Sequence, residues 1–126
     1  MKKFVWAAAA ILAASVPASA ATWLVSEENT GGVKGAQGSW TVKMDGNKIN
    51  GDASMQMDNG SMLTYKVDGS VEGDVYTIKI SDRTDGKKNC VWTGHPPAGV
   101  GTQSRGLVGY AECEGTKLII RASIVQ

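Results

Sequence analysis

The chain has 126 residues, 42% of them hydrophobic, with 13 Lys and Arg against 12 Asp and Glu and a formal net charge of +1. Charges this balanced and interleaved exclude a nucleic-acid-binding stripe and a polybasic membrane face. The length excludes two ordinary domains, which cluster around 100–150 residues each.

The first twenty residues, MKKFVWAAAAILAASVPASA, place Lys2 and Lys3 ahead of an uncharged apolar run and end on Ala18-Ser19-Ala20. That small-x-small ending is the pattern a signal peptidase cuts, and the apolar run from Phe4 to Val16 is too short to span a membrane at ~20 residues. The reading is a cleaved signal peptide over 1–20 and one mature domain over 21–126, soluble in the periplasm or secreted. Without the leader's two lysines, 11 basic groups face 12 acidic ones.

After Ala21 no 3.6-residue apolar period is sustained, whereas period-two alternation recurs. The expected strands are 22–26, 39–45, 48–57, 61–67, 75–81, 88–93, 106–113 and 116–124. In Trp40-Thr41-Val42-Lys43-Met44 the apolar residues share one face, and Asp45-Gly46 follows as a hairpin turn signal. Ile49, Ala53, Met55 and Met57 share the inward parity of the next run, and Leu63, Tyr65 and Val67 that of the one after. Asn59-Gly60 and Asp68-Gly69 read as the next two turns. Val71 and Val75 then disagree in parity with Tyr76, Ile78 and Ile80, which predicts a β-bulge near Asp74-Val75. Thr41-x-Lys43-x-Asp45-Gly46 also matches Thr64-x-Lys66-x-Asp68-Gly69, a weak internal repeat of one hairpin each. Cys90 and Cys113, the chain's two cysteines, follow the leader, and export makes a disulfide their expected state. Closing that loop would restrict the unfolded chain by about 3 kcal/mol in the entropy model.

Eight antiparallel strands joined by tight turns expose edges unless the sheet closes on itself. The fold class expected is therefore all-β, a small up-and-down barrel of about eight strands, with a β-sandwich as the alternative. With Gly38-Ser39-Trp40 opening a strand, the plan resembles the small calycin barrels, avidin-like or lipocalin-like. That resemblance implies the fold and assigns no ligand-binding residue. A transmembrane barrel is disfavoured because the other face of the strands carries Thr41, Lys43, Lys48, Asp52, Lys66 and Lys79, which call for water.

Chemistry is sparse. His95 is the one histidine, and in His95-Pro96-Pro97 it is poorly placed to serve a serine and a carboxylate together. Asp45, Asp58, Asp68 and Asp85 read as turn formers beside glycines. The Asp82–Gly86 segment lacks the alternating oxygens and final Glu of a calcium loop. No enzyme activity, metal or cofactor is expected. Two candidates for recognition remain. One is an interior lined by Trp40, Tyr65 and Trp92, with methionines beside them. The other is the long connection TGHPPAGVGTQSRG, over residues 93–106, where His95, Pro96 and Pro97 form a stiff half and Arg105 closes a permissive one. The expected function is an exported, non-enzymatic binding protein that takes a small apolar or aromatic ligand, or a protein partner through the 94–105 loop. The alternatives are a periplasmic hydrolase inhibitor and a structural, envelope-associated protein using the Glu27–Gln37 arm.

Overall fold

A computed structural model describes residues 19–97 and 105–125. Among them eight strands close a barrel in simple sequence order: β1 (Ser19–Asn29), β2 (Lys34–Asp45), β3 (Lys48–Met57), β4 (Met62–Glu72), β5 (Val75–Ser81), β6 (Cys90–His95), β7 (Gly106–Cys113) and β8 (Thr116–Ile124). Every strand pairs antiparallel with its sequence neighbour, and β8 pairs with β1, from Trp23 opposite Ile124 to Asn29 opposite Leu118. Closure leaves no unpaired edge, which is the reason so short a chain needs no covering helix.

The alternating pattern decides which side faces in. Trp23, Trp40, Val42, Ile49, Leu63, Ile78, Trp92, Ala111 and Ile120 are fully excluded from solvent. Lys43, Asp52, Lys66 and Lys79 point out of the same strands into water. In an eight-strand order β1 lies opposite β5 and β2 opposite β6. Trp23 of β1 meets Tyr76 of β5 at 5.6 Å between ring centroids, and Trp40 of β2 meets Trp92 of β6 at 5.4 Å. These contacts cross the lumen, so the middle of the barrel is solid.

Several boundaries differ from expectation, each for a local reason. β1 and β2 run to Asn29 and from Lys34, so residues 27–29 and 34–37 are barrel wall joined by an exposed turn rather than a free arm, and Glu27 and Ala36 are buried. Gly38-Ser39-Trp40 consequently sits inside β2 and does not open it. A register shift between Glu27 and Glu28 leaves Gly35 as the extra residue of β2. Bulges of this kind occur at barrel rims, where they re-aim side chains.

The largest departure concerns Asp68-Gly69, which lies within β4 and makes no turn. The turn falls at Gly73-Asp74, with Gly73 at φ +62°. Glu72 then pairs directly with Val75, and the β4–β5 register is continuous. The change of parity that predicted a bulge is the ordinary consequence of a two-residue hairpin. Gly69 is required because a Cβ there would stand 2.0 Å from the Thr77 carbonyl oxygen of the adjacent strand. The sequence repeat is therefore not structural: Asp45-Gly46 is a turn with Gly46 at φ +63°, and its counterpart is a strand.

The Cys90–Cys113 disulfide is closed, with Cα atoms 4.0 Å apart. It ties the start of β6 to the end of β7. That is the opposite end of both strands from the long connection, about 17 Å along the wall at ~3.4 Å per residue. The bridge therefore does not clamp the loop's base as its place in the sequence implied. A bridge of this kind persists in oxidising compartments rather than in the cytosol.

Candidate functional site

The two ends of the barrel are built differently. One end carries the β1–β2, β3–β4, β5–β6 and β7–β8 turns and is sealed from within. Glu27 follows Trp23 and Val25 on the inward parity of β1, so its carboxylate is forced into the lumen. The β5–β6 connection folds Arg83 over it. Nη1 and Nη2 of Arg83 donate to the two Glu27 carboxylate oxygens at 3.1 and 2.9 Å. Nε and Nη2 donate to Asp85 at 3.0 and 2.8 Å. The Tyr65 hydroxyl donates to Glu27 at 2.7 Å and accepts from Trp40 Nε1 at 2.9 Å. The guanidinium carbon lies 4.8 Å from the centre of the Tyr65 ring. Two bidentate pairs and an aromatic face are the geometry that guanidinium satisfies and ammonium does not.

The charges follow from this packing. Burial alone would push the Asp85 carboxyl up, but the Arg83 hydrogen bonds, the Lys87 amide and both cations outweigh it and hold it well below the usual carboxylate range. Burial would likewise lower Arg83, yet its hydrogen bonds to Asp85 and Glu27 raise it above its ordinary value. Burial and the neighbouring Glu27 charge hold the Tyr65 phenol well up. A carboxyl depressed by folding contributes stability that is present above its unfolded value of about 4 and is lost as pH falls through its folded value. Acid titration of unfolding free energy should therefore show a loss beginning below about pH 4. Asp85→Asn should flatten that slope. An unchanged slope in the variant would remove Asp85 from the account.

This end holds a cavity of about 170 Å³ lined by Glu27, Lys34, Asp58, Arg83 and Lys87 among others. Larger clefts of about 650 and 510 Å³ run over the outside of the wall, one beside Asp68, Lys79 and Lys88, the other beside Leu24, Gln37 and Arg121. Both are open to the outside of the wall.

The opposite end carries both chain termini of the barrel, the β2–β3 and β4–β5 hairpins and the 96–105 connection. Inward-facing apolar side chains are only half-buried here: Ala21, Met44, Val71, Tyr76 and Ile124 form a run of rim from β8 round to β5. Beneath them lies Trp23, stacked on Trp40 at 5.8 Å with 23° between the planes.

The sequence candidates divide between these regions. Trp40, Tyr65 and Trp92 share the packed interior, and Trp92 Nε1 donates to the Gly109 and Ile120 carbonyls at 3.1 and 3.2 Å. His95, Pro96, Pro97 and Arg105 stand at the rim of the half-open end. His95 ends β6, exposed, and its Nδ1–H donates to the Pro96 carbonyl at 2.9 Å. Arg105 Nη1 reaches the Ile124 carbonyl at 3.4 Å. Residues 98–104, the middle of the 94–105 loop, and residues 1–18, most of the expected signal peptide, lie outside the described residues. Sequence reasoning missed the Glu27–Arg83–Asp85 seal and the rim set. A glutamate on an inward parity was the available signal for the first; the second needs the register.

No family model matches the chain, and no curated protein does. Among solved structures it is similar to a redesigned β-barrel bound to DFHBI, with a TM-score of 0.61 and 15% identity over 84% of this chain and 93% of that one. A de novo designed fluorescence-activating β-barrel gives a TM-score of 0.60 and 12% identity over 83% and 92%. The likeness is one of fold, at the level the strand count implied.

Proposed function

We propose that the chain is an exported, non-enzymatic binding protein that takes a small apolar or aromatic guest at the half-open end of the barrel. The observation carrying this reading is the asymmetry of the ends: the β5–β6 connection closes one with an ionic seal, and the other leaves Ala21, Met44, Val71, Tyr76 and Ile124 half-covered beside the 96–105 connection. Pockets at barrel mouths, apolar with few polar groups, are where such folds take small molecules. The solid middle limits the guest to a shallow seat above Trp23. The similar barrels, one bound to DFHBI and one designed to activate fluorescence, support the reading without assigning a ligand. The leader and the disulfide support export, and the single exposed His95, held by a backbone carbonyl, supports the non-enzymatic part.

The test is capture of the neutral apolar dye Nile red, followed by its emission. The wild-type protein should raise the emission saturably, and Val71→Asp, which sets a charge in the rim, should weaken capture at least tenfold. His95→Ala and Pro96→Gly should weaken it several-fold if the loop's stiff half covers the seat. Capture that survives Val71→Asp unchanged removes the seat from this end.

A further inference from the structure

Trp40 and Trp92 both donate their indole protons to partners inside the barrel; Trp23 does not. Its Nε1 is buried and has no hydrogen-bond partner, the one such side-chain atom among the described residues, in a residue with no solvent exposure. Stranding a buried donor costs its full desolvation, and each instance in a folded protein calls for a cause. Packing alone is a poor cause. The ring crosses the lumen, stacked on Trp40 and meeting Tyr76 edge-on at 83°, and a phenyl ring would pack there with no donor to strand.

The surroundings restrict what could satisfy it. Apart from Trp23 and Tyr76, the inward side chains at this end are apolar: Ala21, Val42, Met44, Ile49, Val71, Leu107 and Ile124. No cation faces inward here among the described residues to offset a buried anion, which is costly when unpaired. Burial holds the Tyr76 phenol up, and the nearby Asp74 charge adds to it, while Arg105 at the same rim is exposed and donates to the Ile124 carbonyl.

We infer that the guest's polar end is a neutral carbonyl-type oxygen that accepts from Trp23 Nε1, with its apolar body against Met44, Val71 and the Tyr76 ring. This rests on the binding reading above and adds the class of ligand to it.

The experiment titrates full-length protein, labelled with ¹⁵N in its indoles and ¹³C in its methyls, with acetophenone and with ethylbenzene, which has nearly the same shape but no oxygen. Both should move the Met44 and Val71 methyl signals. Acetophenone alone should shift the Trp23 indole proton downfield, leaving those of Trp40 and Trp92 in place. W23F, which assigns that signal, should bind acetophenone about tenfold more weakly and ethylbenzene unchanged, as expected for one lost hydrogen bond. The wild-type titration stands without the variant should W23F fold poorly. Three results overturn the inference while sparing the binding reading: methyls that respond while the Trp23 proton stays fixed, equal losses of both ligands in W23F, or a long-lived internal water already exchanging with that proton. Methyls that respond to neither compound overturn both.

Discussion

Replacing Arg83 by methionine is expected to lower the unfolding free energy by about 3–5 kcal/mol, measured by urea denaturation near neutral pH. Methionine keeps much of the apolar stem, so the loss reports on the guanidinium. Without it, the Glu27 carboxylate remains inside the barrel with the Tyr65 hydroxyl as its remaining donor, and Asp85 keeps Lys87. A buried charge that loses its partner costs far more than the pair contributes when intact, because the penalty is desolvation left uncompensated. The sign of the rescue follows. Glu27→Gln added to Arg83→Met should recover a substantial part of the loss, since the amide removes the orphaned charge while still accepting from Tyr65. The pair should be strongly non-additive in a double-mutant cycle. Arg83→Lys should recover little, because one ammonium cannot form two bidentate pairs and lie over the Tyr65 ring. A loss below about 1 kcal/mol for Arg83→Met would mean that the seal is hydrated and that the two ends of the barrel do not differ in the way the functional reading requires.

The fold was legible because its signal is periodic and repeated. Trp40-Thr41-Val42-Lys43-Met44 and the run from Ile49 to Met57 each state which side faces in, and eight such runs leave closure as the simplest way to remove edges. What was not legible depends on cross-strand register. Asp-Gly marks a turn at Asp45-Gly46 and a backbone near-contact at Asp68-Gly69, and nothing local separates the two uses of glycine. Cys90 and Cys113 looked like the base of the long loop because they flank it in sequence, but antiparallel strands carry their far ends away from the connection that joins them. The site was hidden for a related reason. Asp82–Gly86 reads locally as a poor calcium loop, whereas its Arg83 finds its anion on Glu27, which lies 56 positions earlier. The rim of Met44, Val71, Tyr76 and Ile124 comes from four strands whose levels are fixed only once the register is known. The clue within reach was Glu27 itself, a carboxylate in step with Trp23 and Val25.

Gly109→Ala is expected to cost more than about 3 kcal/mol, at or beyond the upper end for overpacking, because the clash is between backbones and no rotamer can relieve it. A Cβ on Gly109 would stand 1.7 Å from the Thr93 carbonyl oxygen and 3.0 Å from the Gly94 Cα. Gly94 is its direct partner across β6 and β7, and Gly94 in turn makes room for the Trp92 ring, 2.4 Å from where its own Cβ would be. Two facing glycines thus let two strands and an indole occupy space that any side chain would take. The consequence reaches beyond stability. The Gly109 carbonyl accepts from Trp92 Nε1, so a strand pushed outward breaks that bond and leaves the Ile120 carbonyl as the acceptor for the ring that packs against Trp40 in the middle of the lumen. β6 and β7 also carry His95 and the 96–105 connection, so displacement at Gly109 should disturb the half-open end as well. Gly35→Ala serves as the control, since a Cβ there meets nothing within 4 Å, and its stability should stay within about 0.5 kcal/mol of wild type. Thermal and denaturant melts of the two variants would separate the effects: equal, small shifts would mean that β6 and β7 approach less closely than described, and that the solid interior under the proposed seat is not held by this pair.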